Sequence, residues 1–167
     1  MSNHPSIEQD NLVIRQATRK DLEVIGDLWV ELMSFHANLD PRFAIPAHGR
    51  NSYIRHIYAV LRDDNYRVYV AEADGQIIGY ILGYIAQNPP IFPHPQYGFI
   101  ADISISPSSR RQGAGTQLVA TLRSWFRSRG LTNIQLNVAA NNPVSQAFWR
   151  KMGCTDYLHH VWMPVSE

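Results

Sequence analysis

Cysteine is nearly missing from this chain: its 167 residues include one, Cys154. A single thiol excludes an internal disulfide and a multi-cysteine zinc site. An excess of charge of either sign is missing too. Fifteen Lys and Arg stand against 14 Asp and Glu, for a net charge of +1, too weak a field to argue for nucleic acid or an anionic membrane as partner. No apolar run approaches the roughly 20 residues that a membrane-spanning helix needs, and the opening MSNHPSIEQDN has no apolar core of a secretory signal. Internal repeats, low-complexity tracts and domain-splitting linkers are also lacking. His159 and His160 alternate across an expected strand, and His36, His48, His56 and His94 fit no ligand spacing, so no metal is expected. What is present is an ordinary globular composition, 45% hydrophobic and 17% charged. The expectation is one cytoplasmic domain over residues 12–167, behind a flexible tail of residues 1–11.

Local patterns divide the chain into alternating elements. Leu12 to Ala17 reads as a short strand. Thr18 offers an N-cap with Asp21 at N3, and Leu22, Ile25, Trp29, Leu32, Met33 and His36 recur at helical spacing to about Ala37. Pro41, Pro46 and Gly49 mark a connection, and Tyr53, Ile54, Ile57, Tyr58 and Leu61 mark a second helix. Two β-rich runs, Arg67 to Ala73 and Gln76 to Ala86, flank Asp74-Gly75, a dipeptide that tolerates positive φ and so favours a tight hairpin. The four prolines between Asn88 and Gln96 exclude a central strand but make a stiff wall. A fourth strand is expected over Tyr97 to Ile105, and then a helix carrying Leu118, Val119, Leu122, Trp125 and Phe126 that stops at Gly130. Thr132 to Val138 reads as a strand. Asn142-Pro143 opens a helix with Val144, Ala147, Phe148 and Met152 on its apolar face, and Thr155 to Met163 reads as a last strand. This order implies an α/β fold, a mixed sheet with helices on both faces.

The fourth strand leads through Arg110-Arg111-Gln112-Gly113-Ala114-Gly115 directly into an amphipathic helix. A glycine-containing turn there presents free backbone N–H groups at the positive end of the helix dipole, an anion site suited to a pyrophosphate. Gly113 and Gly115 leave room for phosphates to approach the backbone, and Arg110 and Arg111 add positive charge. The plain reading is a packing turn. No Gly-Lys-Ser/Thr follows, which excludes a nucleoside triphosphatase loop, and the third glycine of a dinucleotide-binding turn is absent.

The run Arg110-x-x-Gly113-x-Gly115 between strand and helix resembles the acyl-CoA-binding motif of the GCN5-related N-acetyltransferase superfamily. Asn142, Phe148, Trp149 and Gly153 are similar to that family's second motif, and the two occur in the family's order with one strand between them. The resemblance implies a mostly antiparallel mixed sheet of about six to seven strands, splayed between the fourth and fifth. It implies acetyl-CoA as donor, with the pantetheine arm on the backbone of Ile103 and Ile105. The pyrophosphate would lie on the amides from Gln112 through Gly113, Ala114 and Gly115 to Thr116, near Arg110 and Arg111. Asn142, Phe148 and Trp149 would flank the arm. Dimerisation is common in the family, and nothing in this sequence specifies a homodimer.

Asp102 carries an independent signal: it interrupts the apolar run Phe99-Ile100-Ala101-Asp102-Ile103, where an unpartnered charge is costly. Three readings stand side by side: a general base, a structural carboxylate satisfied by backbone amides, and a carboxylate that orients substrate. Glu72 is a weaker candidate. The family's usual tyrosine, its acid for the departing thiolate, is replaced here by Trp149, whose indole N–H cannot titrate usefully. Tyr157 could supply a hydroxyl or simply pack on the sheet. Cys154 reads as a small buried hydrophobe. The function expected is direct acetyl transfer from acetyl-CoA to a primary amine of a small molecule or peptide, with Glu31, His36, Asp40 and Tyr53 lining the acceptor side. The rival of another class is a non-catalytic acyl-CoA-binding sensor or regulatory module.

Overall fold

Strands follow one another through the sheet in the order of the chain, β1-β2-β3-β4-β5. The computed structural model describes residues 11–165, so the expected tail lies, apart from Asn11, outside the described residues. The chain divides into two compact units, one ending at Asn137 and the other beginning at Val138. The first unit holds β1 (Leu12–Gln16), α1 (Leu22–Leu39), α2 (Gly49–Val60), β2 (Tyr66–Ala73), β3 (Gln76–Gln87), β4 (Gln96–Ile105), α3 (Ala114–Ser128) and β5 (Ile134–Leu136). The second holds α4 (Pro143–Lys151). No helix among the described residues is long and apolar enough to cross a membrane.

Sequence chemistry sets these boundaries. Asp74 and Gly75 both take positive φ, 51° and 76°, so the two-residue turn places Ala73 opposite Gln76 and fixes the β2–β3 register. At the start of α1, Asp21 Oδ2 accepts hydrogen bonds from the Thr18 amide at 2.7 Å and the Thr18 hydroxyl at 3.0 Å. Thr18 and Asp21 thus form the expected capping box, to which the threonine hydroxyl adds a bond to the carboxylate.

Period-two alternation gives the sheet two apolar faces. Val68, Val70, Tyr80 and Leu82 pack with Ile25 and Leu28 of α1 and with Tyr53, Ile57 and Val60 of α2. The opposite face takes α3. A Cβ on Gly83 would stand 2.7 Å from Leu122, and one on Gly98 would stand 2.8 Å from the Phe126 ring. The two glycines are thus the space into which those side chains fit.

Only three residues of β4 pair with β5, the parallel ladder running from Gly98↔Ile134 to Ile100↔Leu136. From Asp102 to Ile105, β4 is bonded, among the described residues, to β3 alone. This is the expected splay, and it begins at a bulge: Leu82 pairs with Asp102 and Gly83 with Ile100, leaving Ala101 without a partner.

The last strand, expected over Thr155 to Met163, does not form. Residues 154–165 are irregular, and Tyr157, Leu158, Val161, Trp162 and Met163 are exposed. Aromatic and β-branched content is only a propensity; a strand needs a neighbouring edge to bond its amides and carbonyls, and α4, the one regular element among the described residues of the second unit, offers none. The sheet accordingly has five strands where six to seven were expected. On α4, Val144 is exposed and Trp149 is buried, so the apolar face is turned from the one that the sequence suggests.

Candidate active site

The bulge decides where Asp102 points. In a regular strand Ile100 and Asp102 would share a face. Ile100 lies opposite Gly83, which faces α3, whereas Asp102 lies opposite Leu82, which faces α1 and α2. One unpaired residue, Ala101, therefore turns the carboxylate away from the apolar α3 layer and onto the face where polar partners wait.

Those partners are aromatic. Tyr53 of α2 donates its hydroxyl to Asp102 Oδ2 at 2.9 Å, and the Tyr53 and Tyr80 hydroxyls lie 3.0 Å apart. Because the one Tyr53 proton goes to the carboxylate, Tyr80 is the donor to Tyr53. Trp29 of α1 stacks on Tyr53 with centroids 4.4 Å apart and planes 6° from parallel. Burial raises the carboxyl of Asp102 above its ordinary range, while the Tyr53 hydrogen bond and the nearby His56 and His36 pull it down. Burial also raises both phenols well above their ordinary value, so they remain donors. Among the described residues Asp102 Oδ1 receives no hydrogen bond.

Of the four expected lining residues, only Tyr53 reaches Asp102 directly. His36 donates from Nδ1 to the Leu32 carbonyl at 2.8 Å. Asp40 is held by Arg42, whose hydrogen bonds lower its carboxyl to about 2. Glu31 is exposed. Glu72 accepts from Arg15 Nε at 2.8 Å, and the same guanidinium grips Asp21 through Nη1 and Nη2, each at 2.8 Å. Glu72 belongs to that ion-pair network. A shallow depression of about 380 Å³ beside it, lined by Asn11, Val13, Glu72, Asp74 and Gly75, lies at the hairpin turn, away from Asp102.

Below the splay, the turn into α3 has the geometry of an anion cradle. Gly113 is the helix N-cap at φ 87°, and Arg111 also takes positive φ, 63°. The first bond of the helix joins the Gln117 amide to the Gly113 carbonyl at 3.0 Å, so the amides of Ala114, Gly115 and Thr116 have no partner within the helix. No acidic residue occupies its first turn. A Cβ on Gly113 would meet nothing within 4 Å. Gln112 Oε1 is the one buried side-chain polar atom without a partner among the described residues. Arg110 Nε donates to the Ile105 carbonyl at 3.1 Å, so this arginine lies back along the strand end.

In the second unit, Asn142 is the expected N-cap, accepting from the Ser145 amide at 3.0 Å, and it is buried. Phe148 and Trp149 meet edge to face, with centroids 5.0 Å apart. Tyr157, 71% exposed, lies in the irregular segment.

These features can be set beside known proteins. The model of the acetyltransferase (GNAT) family matches residues 29–154. The chain belongs to the GNAT acetyltransferase family. The L-2,4-diaminobutyric acid acetyltransferase of Nocardia farcinica is 30% identical over 80 residues, which are 48% of this chain and 39% of that protein. The chain thus spans less than half the length of that relative. A mutant of the BH1408 protein from Bacillus halodurans superposes with a TM-score of 0.84 at 19% identity, covering 92% of this chain and 99% of that one. The aminoglycoside N-acetyltransferase AAC(6')-Iy in complex with CoA superposes with a TM-score of 0.74 at 21% identity, covering 93% and 95%. At such identities the two structures speak for the fold alone. The acetyl donor of the family is acetyl-CoA. The residues of this chain fit it: unpaired amides face an open space at Gly113, and the orphaned Gln112 amide has hydrogen-bonding capacity to offer a ligand.

Tyr80 was not singled out in the sequence, where it falls within the β-rich run Gln76 to Ala86. The available signal is a phenol within the otherwise apolar run Ile77-Ile78-Gly79-Tyr80-Ile81-Leu82, since a buried hydroxyl needs a partner.

Proposed function

We propose that the protein transfers an acetyl group directly from acetyl-CoA to a primary amine of a small molecule, within a ternary complex. One observation carries the reading: a single carboxylate, re-aimed by a bulge, sits where β4 loses its β5 partner, with one oxygen fixed and the other available. Bound acetyl-CoA supplies an activated carbonyl and a thiolate leaving group. Asp102 takes one proton from the acceptor ammonium at Oδ1, freeing the lone pair that bonds to the thioester carbon as the carbon–sulfur bond breaks, and the nitrogen's second proton passes through solvent to the departing thiolate. Its raised affinity for protons suits a base working near neutral pH. The unpaired edge of β4 at Ile103 and Ile105 receives the pantetheine arm as an added strand, and a backbone N–H there steadies the developing oxyanion. Gln112, Gly113, Ala114, Gly115 and Thr116 offer amides to the pyrophosphate, with Arg111 beside them. Arg110, which donates to the Ile105 carbonyl, would release it to the arm and turn to the phosphates when the donor binds.

The amine class is supported by relatives whose names specify diaminobutyric acid and aminoglycosides, both small molecules bearing primary amines. The test is thiol release from acetyl-CoA with a panel of diamino acids, aminoglycosides, polyamines and peptides. Turnover with one class of small amine is expected. Acetyl-CoA binding without thiol release from any acceptor would make the chain a binding module instead.

A further inference from the structure

We propose that Tyr53 and Tyr80 are positioning residues for Asp102: a closed chain of two phenols fixes its Oδ2 and leaves Oδ1 as the only proton acceptor. The proposal rests on Asp102 being the base. Three elements build the chain. Tyr80 projects from β3 and is 0% exposed, Tyr53 projects from α2 and is 8% exposed, and Asp102 follows the bulge in β4. The Trp29 ring lying flat on Tyr53 fixes the angle at which that hydroxyl meets the carboxylate.

The direction of the chain excludes a proton wire. Each hydroxyl has one proton: Tyr80 gives its proton to Tyr53, and Tyr53 gives its proton to Oδ2. Among the described residues no further hydrogen-bond partner follows Tyr80, and its side chain is sealed from solvent. A proton taken from substrate cannot leave by this route, so it enters and leaves at Oδ1. What the chain does is electrostatic and geometric. Two aligned O–H dipoles favour the ionised carboxylate, and polarisation by Tyr80 strengthens the Tyr53 bond.

Neutral donors suit this task better than a cation. Asp21, in the same unit, is gripped by the Arg15 guanidinium and held below the ordinary carboxylate range, too acidic to serve as a base near neutrality. The titratable groups facing Asp102 from the packed elements are His36 of α1, His56 and Tyr53 of α2, and Tyr80 of β3. Among the described residues only Tyr53 is hydrogen-bonded to it.

The test compares Tyr53→Phe and Tyr80→Phe with the parent protein by two readouts. The first needs no substrate: the carboxyl 13C resonance of Asp102 in aspartate-labelled protein, identified by its absence in Asp102→Asn, is titrated with pH. Tyr53→Phe moves the titration to higher pH, and Tyr80→Phe moves it the same way by less. The second is the pH profile of thiol release with the acceptor found in the panel. In Tyr53→Phe, turnover below the acid limb falls roughly tenfold, the scale of losing one hydrogen bond to a charged group. On the alkaline plateau it stays within about threefold of the parent. A purely structural role lowers turnover equally at every pH and leaves the resonance where it was. An unmoved Asp102 titration in cooperatively folded Tyr53→Phe overturns the proposal, and Tyr80→Phe gives the same decision should Tyr53→Phe fail to fold. If the resonance moves while Asp102→Asn keeps full turnover, the base assignment fails and the chain itself stands.

Discussion

Valine at position 113 would act on the chain and on its ligand by separate routes, and the two can be measured apart. Gly113 caps α3 at φ 87° and ψ −8°. Forcing an L-residue into left-handed backbone costs roughly 1–2 kcal/mol, and a β-branched one sits at the upper end. In a domain of this size each kcal/mol lowers Tm by roughly 2–4 °C, so the ligand-free variant should melt about 3–8 °C lower. No internal clash adds to this, because a Cβ at Gly113 meets nothing within 4 Å. The same open space is where a pyrophosphate must come to reach the amides of Ala114, Gly115 and Thr116. Hydrogen bonds to a charged group are worth roughly 1.5–3 kcal/mol each. Holding the phosphate off by the width of a side chain forfeits at least two, which raises Kd about a hundredfold or more. At a concentration of acetyl-CoA a hundred times the parent Kd, the parent gains about 2.7 kcal/mol of stability. The variant, near its own Kd, gains about 0.4 kcal/mol, a shift of under roughly 2 °C. Calorimetric titration and thermal melts with and without acetyl-CoA read both quantities. Gly113→Asn is the discriminating control, because asparagine tolerates left-handed backbone. Its ligand-free Tm should fall less than that of Gly113→Val, while its side chain still blocks the phosphate. An asparagine variant that binds acetyl-CoA within about threefold of the parent would refute the placement of the pyrophosphate.

Asp102→Asn should lower turnover roughly a hundredfold or more while leaving acetyl-CoA affinity nearly intact; kinetics beside calorimetry checks this, and full activity in the folded variant would make Asp102 structural. The same variant should be more stable than the parent at neutral pH. The raised carboxyl binds its proton more tightly in the folded state, so its contribution is complete below the ordinary value of 3.8 and is lost as pH rises through the folded value. Melts across pH should show the advantage shrinking on acidification. Asp21→Asn should behave oppositely: the Arg15 grip lowers that carboxyl, so its stabilisation is present above 3.8 and lost as pH falls through the depressed value. Its Tm deficit should therefore be largest near neutrality and close in acid. Tyr157→Phe should change turnover by no more than about threefold, since its hydroxyl sits on an exposed irregular segment and thiolate departure needs no acid; a hundredfold loss with folding and cofactor binding intact would assign it the acid role.

Much of the framework was legible because it is written locally. Asp74-Gly75 prescribes its turn, Asn142-Pro143 its helix start, and the glycine-containing run at Gly113 the start of α3. The family motifs spanned the same stretch of chain as the elements they mark. What escaped is written between distant residues. The strand expected from Thr155 to Met163 had the right composition, but no edge within its unit to pair with. β5 shrank to Ile134–Leu136 because its neighbour β4 leaves the ladder after Ile100. Trp149, expected as pocket wall and core, has a buried ring, which gives it a packing role whatever else it does.

The bulge at Ala101 shows why Asp102 could be noticed in the sequence and yet not understood there. Strict alternation would have put it among the side chains facing α3, beside Ile100, where a carboxylate has nothing to bond and would stay protonated or destabilise the sheet. One extra residue, visible only in the pairing of Leu82 with Asp102 and of Gly83 with Ile100, moves it to the face of Tyr80 and Tyr53. The same residue ends the β4–β5 ladder, so the carboxylate and the open strand edge arise at one point in the chain. On the proposed function, an acetyl donor paired to that edge and a base beside it would need no separate positioning: the irregularity that leaves the backbone edge open also turns the carboxylate beside it.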